Sequence, residues 1–193
     1  MQKKENKMVE EVLQNNKKKI LLHSCCAVCM AYPMELLKKE YEPIVFFFNP
    51  NIYPLTEHDR RRDELINYCK KMDYEYIIQE EDSSGWYKFI EGFEQEPEKG
   101  LRCNKCFEYR LAVTAQNAKD LEIDFISTTL SVSPHKVSKN IFSVGEEIQN
   151  KYGVSFLQMD FKKQNGFLKT MQIAKENDFY RQQYCGCEFS IRP

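Results

Sequence analysis

Short continuous apolar runs alternate along the chain with longer stretches whose apolar residues recur at helical spacing. The runs "ILLHS" (20–24), "IVFFFNP" (44–50), "YEYIIQ" (74–79), "DFISTTL" (124–130) and "SFLQMD" (155–160) read as five strands. The second is apolar at five successive positions (44–48), as a strand buried on both faces requires. Between the runs the period changes to that of a helix. "VCMAYPMELLKKE" predicts a helix over 28–40 that tolerates Pro33 only in its first turn, where a missing N–H costs no hydrogen bond. "TEHDRRRDELINYCKKM" (56–72) places Leu65, Ile66, Cys69 and Met72 on one stripe. "CNKCFEYRLAVTAQNAKDL" (103–121) aligns Leu111, Ala115 and Ala118. "SKNIFSVGEEIQNKYG" (138–153) is a helix with Ser138 in the N-cap position, and "GFLKTMQIAKEND" (166–178) is the last helix.

Strands alternating with helices imply βαβ units. The predicted fold class is α/β: Rossmann-like and doubly wound, a mainly parallel five-stranded sheet with helices on both faces. In such folds sites form beyond the carboxyl ends of the strands. "HSCCAVC" follows the first strand, "NPNIYP" the second and "SVSPHK" the fourth, so the unusual residues gather at one rim. Neither GxGxxG nor GxxxxGK[ST] occurs, so the motifs support neither a dinucleotide nor a P-loop site.

Composition adds bounds. The 193 residues, 42% hydrophobic and 13% aromatic, suit one packed core rather than disorder. No internal repeat or Gly/Ser/Pro-rich linker divides the chain; residues 1–18 read as a charged extension and 19–193 as one catalytic domain. The N-terminal stretch has no apolar signal core, and no run reaches membrane-spanning length. The expectation is a cytoplasmic protein with no membrane partner. A net charge of −1, from 28 basic and 29 acidic residues, makes no global case for nucleic-acid binding. The clusters at 17–19, 60–62 and 162–163 read first as solvated faces, although a local patch suffices to hold a compact RNA.

The eight cysteines change the picture most. In a reducing compartment they point to metal ligands or catalytic thiols. Cys69 stands on an apolar stripe and reads as a small buried hydrophobe. Cys103 and Cys106 have CxxC spacing at a helix start, which turns both sulfurs to one side, within reach of one metal. Cys25 and Cys26 lie at a strand-to-helix turn, where helix N–H groups favour thiolate. Adjacent side chains diverge, which is awkward for a compact zinc knuckle but compatible with one cluster or two neighbouring centres. Four thiolates suit zinc and an iron–sulfur cluster equally. Cys29 is a surplus thiol, available to a second metal. Cys185 and Cys187, separated by Gly186, can close a very small, strained and easily reduced ring, which suits a redox couple. A thiolate metal site beside a dithiol points to electron transfer into a substrate that the residues do not name.

The stretches "LLHSCCAVC", "FFFNPNIYPLTEHDRRRDE", "GLRCNKCFEYRL", "STTLSVSPHK" and "DFYRQQYCGCEFS" cover nearly all of residues 20–190. They resemble the epoxyqueuosine reductases of the QueH type, which complete queuosine in tRNA without cobalamin. The resemblance implies a Rossmann-like domain with a [4Fe-4S] cluster held by Cys25, Cys26, Cys103 and Cys106. It implies that Cys185 and Cys187 are the redox-active pair. It links the position of Cys29, aspartate or cysteine in the family, to an additional iron beside the cluster. The position before it, usually proline, is Val28 here. The implied partners are tRNA carrying epoxyqueuosine and a separate electron donor.

A base read in an anticodon loop calls for splayed, stacked bases and phosphate contacts. Asn49, Asn51, Arg61 and Arg181 are the candidate substrate-binding residues. Tyr53 with Arg60 and Arg61, Phe107 with Tyr109 and Arg110, and Tyr180 with Arg181 are aromatic–basic mixtures. His23, His135, Asp59 and Tyr184 are the candidate proton donors. Two other functions compete: a zinc-stabilised RNA-binding module, to which a strained "CGC" couple would be useless, and a tRNA-thiolation enzyme, against which the missing SGGxDS-type loop argues.

Overall fold

The computed structural model describes residues 17–191, so most of the expected extension lies outside the described residues. The strands are β1 (Lys18–His23), β2 (Tyr41–Phe47), β3 (Tyr76–Ile78), β4 (Phe125–Thr128) and β5 (Ser155–Phe156). The helices are α1 (Ala27–Leu37), α2 (Leu55–Met72), α3 (Ser84–Phe89), α4 (Leu101–Asp120), α5 (Ser138–Tyr152) and α6 (Gly166–Glu176). Single 3-10 turns follow at Thr129–Val132 and Glu188–Ser190.

The sheet has the order β3-β2-β1-β4-β5, and every pair is parallel. Alternation along β1 and β2 divides the core between the two faces, because successive side chains point opposite ways. Leu21, Ile44 and Phe46 pack with Leu111 and Ala115 of α4 and Ile141 and Ile148 of α5. Ile20, Leu22, Val45 and Phe47 pack with Met30 and Met34 of α1 and Leu65 and Cys69 of α2. Each such aliphatic or aromatic side chain contributes about 1.5–3 kcal/mol on burial. The sheet is thus doubly wound, and the order reverses between β1 and β4.

Three local expectations need correction. Pro33 lies well inside α1, not in its first turn. It deprives the Cys29 carbonyl of its usual donor. The helix persists because Met30, Ala31, Met34 and Leu37 are buried, so tertiary packing outweighs the local cost. Ser138 is the first residue of α5 rather than its cap, which is Val137; the Ser138 hydroxyl instead accepts from the Lys162 ammonium. Met72 ends α2 with 37% exposure. The chain turns back at left-handed Asp73, and Tyr74, edge-on to Tyr68, closes the apolar row instead.

Candidate metal and dithiol site

β1 delivers the chain to the point where the strand order reverses. The Ser24 N–H still donates to the Phe46 carbonyl at 2.8 Å, extending the ladder by one residue. Behind the turn lies a buried polar network. Arg110 of α4 donates through Nε to His23 Nε2 (3.2 Å) and through Nη2 to Asn49 Oδ1 (2.5 Å). Nε2 also lies 3.3 Å from the Phe48 carbonyl, and Nδ1 lies 2.9 Å from Thr128 Oγ1. Burial first, and Arg110 second, push the His23 pKa down to about 3. His23 is therefore neutral and orients the turn. The Asn49 Nδ2 donates to the Ser24 carbonyl at 3.0 Å, so both ends of its amide hold the loop after β2 against the cysteine turn.

Cys26 is the extended N-cap residue of α1, and Cys29 stands three residues on. An N-cap side chain and the third helical residue meet at a helix start. The sulfurs of Cys25, Cys26 and Cys29 accordingly lie within 4.8 Å of one another, with Cys25 and Cys26 at 3.8 Å. Hydrogen bonds from the Cys26 and Cys29 thiols hold Cys25 well below the usual thiol range; burial opposes this, and Lys136 and Arg110 add to it. The same bonds push Cys29 well above that range. One thiol of the three thus ionises readily while its neighbours donate to it. Gln182 adds an amide donor at 3.5 Å from Cys26 Sγ. Burial works against the charges of Lys136 and Arg61, but the sulfur sites they face outweigh it, with Glu57 adding to the arginine. Arg61 Nη2 is buried with no hydrogen-bond partner. A close set of sulfurs faced by the buried Arg61 and Arg110 and by Lys136 fits a thiolate-held, negatively charged metal centre.

Cys103, Cys106, Cys185 and Cys187 form a second group. Cys103 lies in the first turn of α4 and accepts from the Lys99 N–H at 3.2 Å; Cys106 lies one turn further on. Cys106 packs with Cys187, Trp86 and Ile90. Burial pushes the Cys103, Cys106 and Cys187 thiols up. All eight cysteines are free thiols. Cys185 borders both groups: it lines a cleft of about 260 Å³ together with Cys29, Lys136 and Gln182, and a smaller recess together with Cys103 and Lys136.

The "CGC" segment is pinned from α2 and the loop before it. Arg61 Nη1 donates to the Cys185 carbonyl at 3.2 Å, and the Tyr53 N–H donates to the Gly186 carbonyl at 2.8 Å. Gly186 has φ +139, a region closed to most side chains. Asn51, 3% exposed, lies beneath this segment with its Oδ1 unpartnered. Arg181, in contrast, is exposed and lines the cleft. His135 and Tyr184 also line the cleft, whereas Asp59 is engaged with Arg62 on α2.

The aromatic–basic mixtures divide. Phe107 and Arg110 are buried in the core and its polar network. Arg60 stacks on Tyr180 with its guanidinium 3.4 Å from the ring centroid, and Arg61 faces Tyr184 at 5.4 Å. Lys136, Gln182 and Trp86 join the site without having been singled out by the sequence. Lys136 carried one usable signal, its place in the loop after the fourth strand beside His135. Gln182 carried only its place three residues before Cys185, and Trp86 carried none, since only folding brings it to the cysteines.

Comparison with known proteins places this geometry. The family model for epoxyqueuosine reductase QueH matches residues 20–193. An epoxyqueuosine reductase QueH of Streptococcus pyogenes serotype M1 is 37% identical over 184 residues, covering 90% of this chain and 70% of the relative. The protein of that name from Thermotoga maritima is 33% identical, covering 89% of this chain and 90% of the relative. Among solved structures, the U34-tRNA thiolase NcsA from Methanococcus maripaludis with its [4Fe-4S] cluster shares the fold at a TM-score of 0.55 and 16% identity, covering 94% of this chain and 63% of that one. A predicted tRNA methyltransferase subunit from Methanocaldococcus jannaschii does so at 0.58 and 12%, covering 90% and 100%. The family match over nearly the whole described chain, on a parallel sheet with its cysteines at the strand ends, establishes that this chain belongs to the epoxyqueuosine reductase QueH family.

Proposed function

We propose that the chain reduces epoxyqueuosine to queuosine at the wobble position of tRNA, with Cys185 and Cys187 as the dithiol. Cys25, Cys26, Cys103 and Cys106 hold a [4Fe-4S] cluster, and Cys29 serves an additional iron beside it. The observation that carries this reading is the position of Cys185, which borders Cys29 in the cleft and Cys103 in the recess. Cys185 therefore stands between the two thiol groups.

Opening an epoxide to an alkene consumes two electrons and two protons and releases water. A dithiol closing to a disulfide supplies both electrons and both protons, so the reaction balances within the protein. When bound, the metal centre supplies single-electron transfer and Lewis-acid polarisation of the epoxide oxygen. The other tasks fall to side chains. Arg61 and Tyr53 hold the dithiol segment in place, with Asn51 beneath it. Lys136 and Gln182 present a cation and an amide donor beside the thiols. Arg181 at the cleft, and Arg60 stacked on Tyr180, are suited to phosphates and bases of an anticodon loop. Among the described residues no helix is long and apolar enough to cross a membrane; a cytoplasmic site of action accords with a tRNA substrate.

Anaerobic purification tests the reading. The expected protein is brown and carries four iron and four sulfide per chain, with further iron that Cys29→Ala removes. Cys185→Ser is expected to retain the chromophore and lose turnover of epoxyqueuosine-containing tRNA. A colourless protein that takes up stoichiometric zinc after anaerobic reconstitution overturns the iron–sulfur assignment; loss of the whole chromophore in Cys29→Ala reassigns that thiol to the cluster.

A further inference from the structure

The two thiols of the "CGC" segment occupy unlike surroundings. Cys187 is 8% exposed and packs against Trp86, Ile90 and Cys106. Its carbonyl is held by the Ser190 hydroxyl at 2.7 Å and by the Ser190 N–H at 3.0 Å. Cys185 is partly exposed and borders both open spaces. Hydrogen bonds from Arg61 and Tyr53 fix the backbone between them, so the two environments do not interchange without loss of those bonds. Cys185 borders the open cleft, whereas Cys187 lines neither open space and packs against an indole that is 1% exposed.

We infer that the pair is directional: towards a dithiol reductant, Cys185 is the sulfur attacked from the cleft, and Cys187 closes and reopens the disulfide from within. The inference rests on the dithiol role proposed above and adds to it the polarity of the pair. After turnover the pair is a disulfide. One thiolate of the reductant attacks Cys185 Sγ; the Cys185–Cys187 bond breaks, and Cys187 departs as a thiolate and takes a proton. The second thiolate of the reductant then attacks its own sulfur in the mixed disulfide and releases Cys185. Two electrons and two protons pass from reductant to pair, and the reductant ends as its own disulfide. Thiol–disulfide exchange is governed by which sulfur can be reached as well as by thiol acidity, and access here differs sharply between the two.

The test uses the full chain, reconstituted anaerobically. Cys187→Ser and Cys185→Ser are exposed to 5,5′-dithiobis(2-nitrobenzoate), and the adducts are located by peptide mapping. The adduct at Cys185 in the first variant is expected to form about tenfold or more faster than the adduct at Cys187 in the second. A brief pulse of N-ethylmaleimide on the reduced wild-type protein, which involves no substitution, is expected to mark Cys185 before Cys187. Equal rates, or faster reaction at Cys187, overturn the directionality. A wild-type protein in which mild oxidation joins Cys185 to Cys187, but whose thiols label equally, refutes the polarity alone. One in which that disulfide never forms refutes the dithiol role and the polarity together.

Discussion

Arg61 Nη1 donates to the backbone carbonyl of Cys185, 3.2 Å away and 124 residues along the chain. The same guanidinium grips Glu57 through Nε at 2.6 Å, and Glu57 in turn accepts from the Tyr180 hydroxyl at 3.0 Å. The first turns of α2 thus hold the C-terminal segment against the thiols. Arg61→Leu removes the clasp and leaves Glu57 with its charge uncompensated. The expected cost is about 3–5 kcal/mol, read by urea denaturation. Glu57→Gln/Arg61→Leu should recover part of that loss; a double variant as unstable as the single one would show that the pair is not its cause.

Gly186→Ala probes the clasp from the other side. Its φ of +139 disfavours any Cβ, and an added Cβ would lie 3.2 Å from Arg61 Nη1. Displacement of the segment at about 1–3 kcal/mol is expected. Iron content should match wild type, while formation of the Cys185–Cys187 disulfide under mild oxidation slows. Loss of iron in this variant would tie the segment to metal binding instead.

Trp86 Nε1 is buried without a hydrogen-bond partner at ordinary geometry, and the Cys106 sulfur packs beside it. A buried orphan donor costs about 1–3 kcal/mol. The arrangement makes sense if Cys106 acts as a thiolate, which the indole N–H favours. Trp86→Phe keeps the ring and removes the donor. With the metal centre assembled, its midpoint potential should move to more negative values, because hydrogen bonds to ligand sulfur stabilise the reduced state. An unchanged potential at full iron content would exclude this role.

Cys69 provides a pH-dependent test remote from the site. Burial raises its pKa from 9.0 to about 12. Between those values the unfolded thiol has lost its proton and the folded one retains it. Stability therefore falls as pH rises through that window, since the unfolded state binds fewer protons there. Cys69→Ala should show a shallower alkaline decline than wild type in denaturation series from pH 8 to about 11. Parallel profiles would mean that the thiol ionises in the folded protein.

Much of the fold was legible because its determinants are local. An apolar run such as "IVFFF" can be satisfied only between two helical layers, and the change of period on either side of it announces the crossover helices. The strand-end rule then gathered "HSCCAVC", "NPNIYP" and "SVSPHK" at one rim. Boundaries fared less well: Pro33 sits inside α1 and Ser138 does not cap α5, since packing against the sheet outweighs a lost hydrogen bond and a lysine from another segment claims the serine hydroxyl.

What the sequence determined by itself was the set of chemical groups and the frame that carries them: thiols in short-range pairs, on a parallel α/β sheet. Cys29, a surplus thiol in the sequence, stands one helical turn from Cys26 and joins Cys25 and Cys26 in space. Which distant groups face one another was decided only in three dimensions. Asn49 spends its amide on Ser24 and Arg110, Arg61 reaches Cys185, Cys187 lies under Trp86 while Cys185 opens to the cleft, and Lys136 faces both thiol groups. Those choices depend on side-chain volumes and buried charges packed between elements scores of residues apart, and no periodicity in a single chain records them.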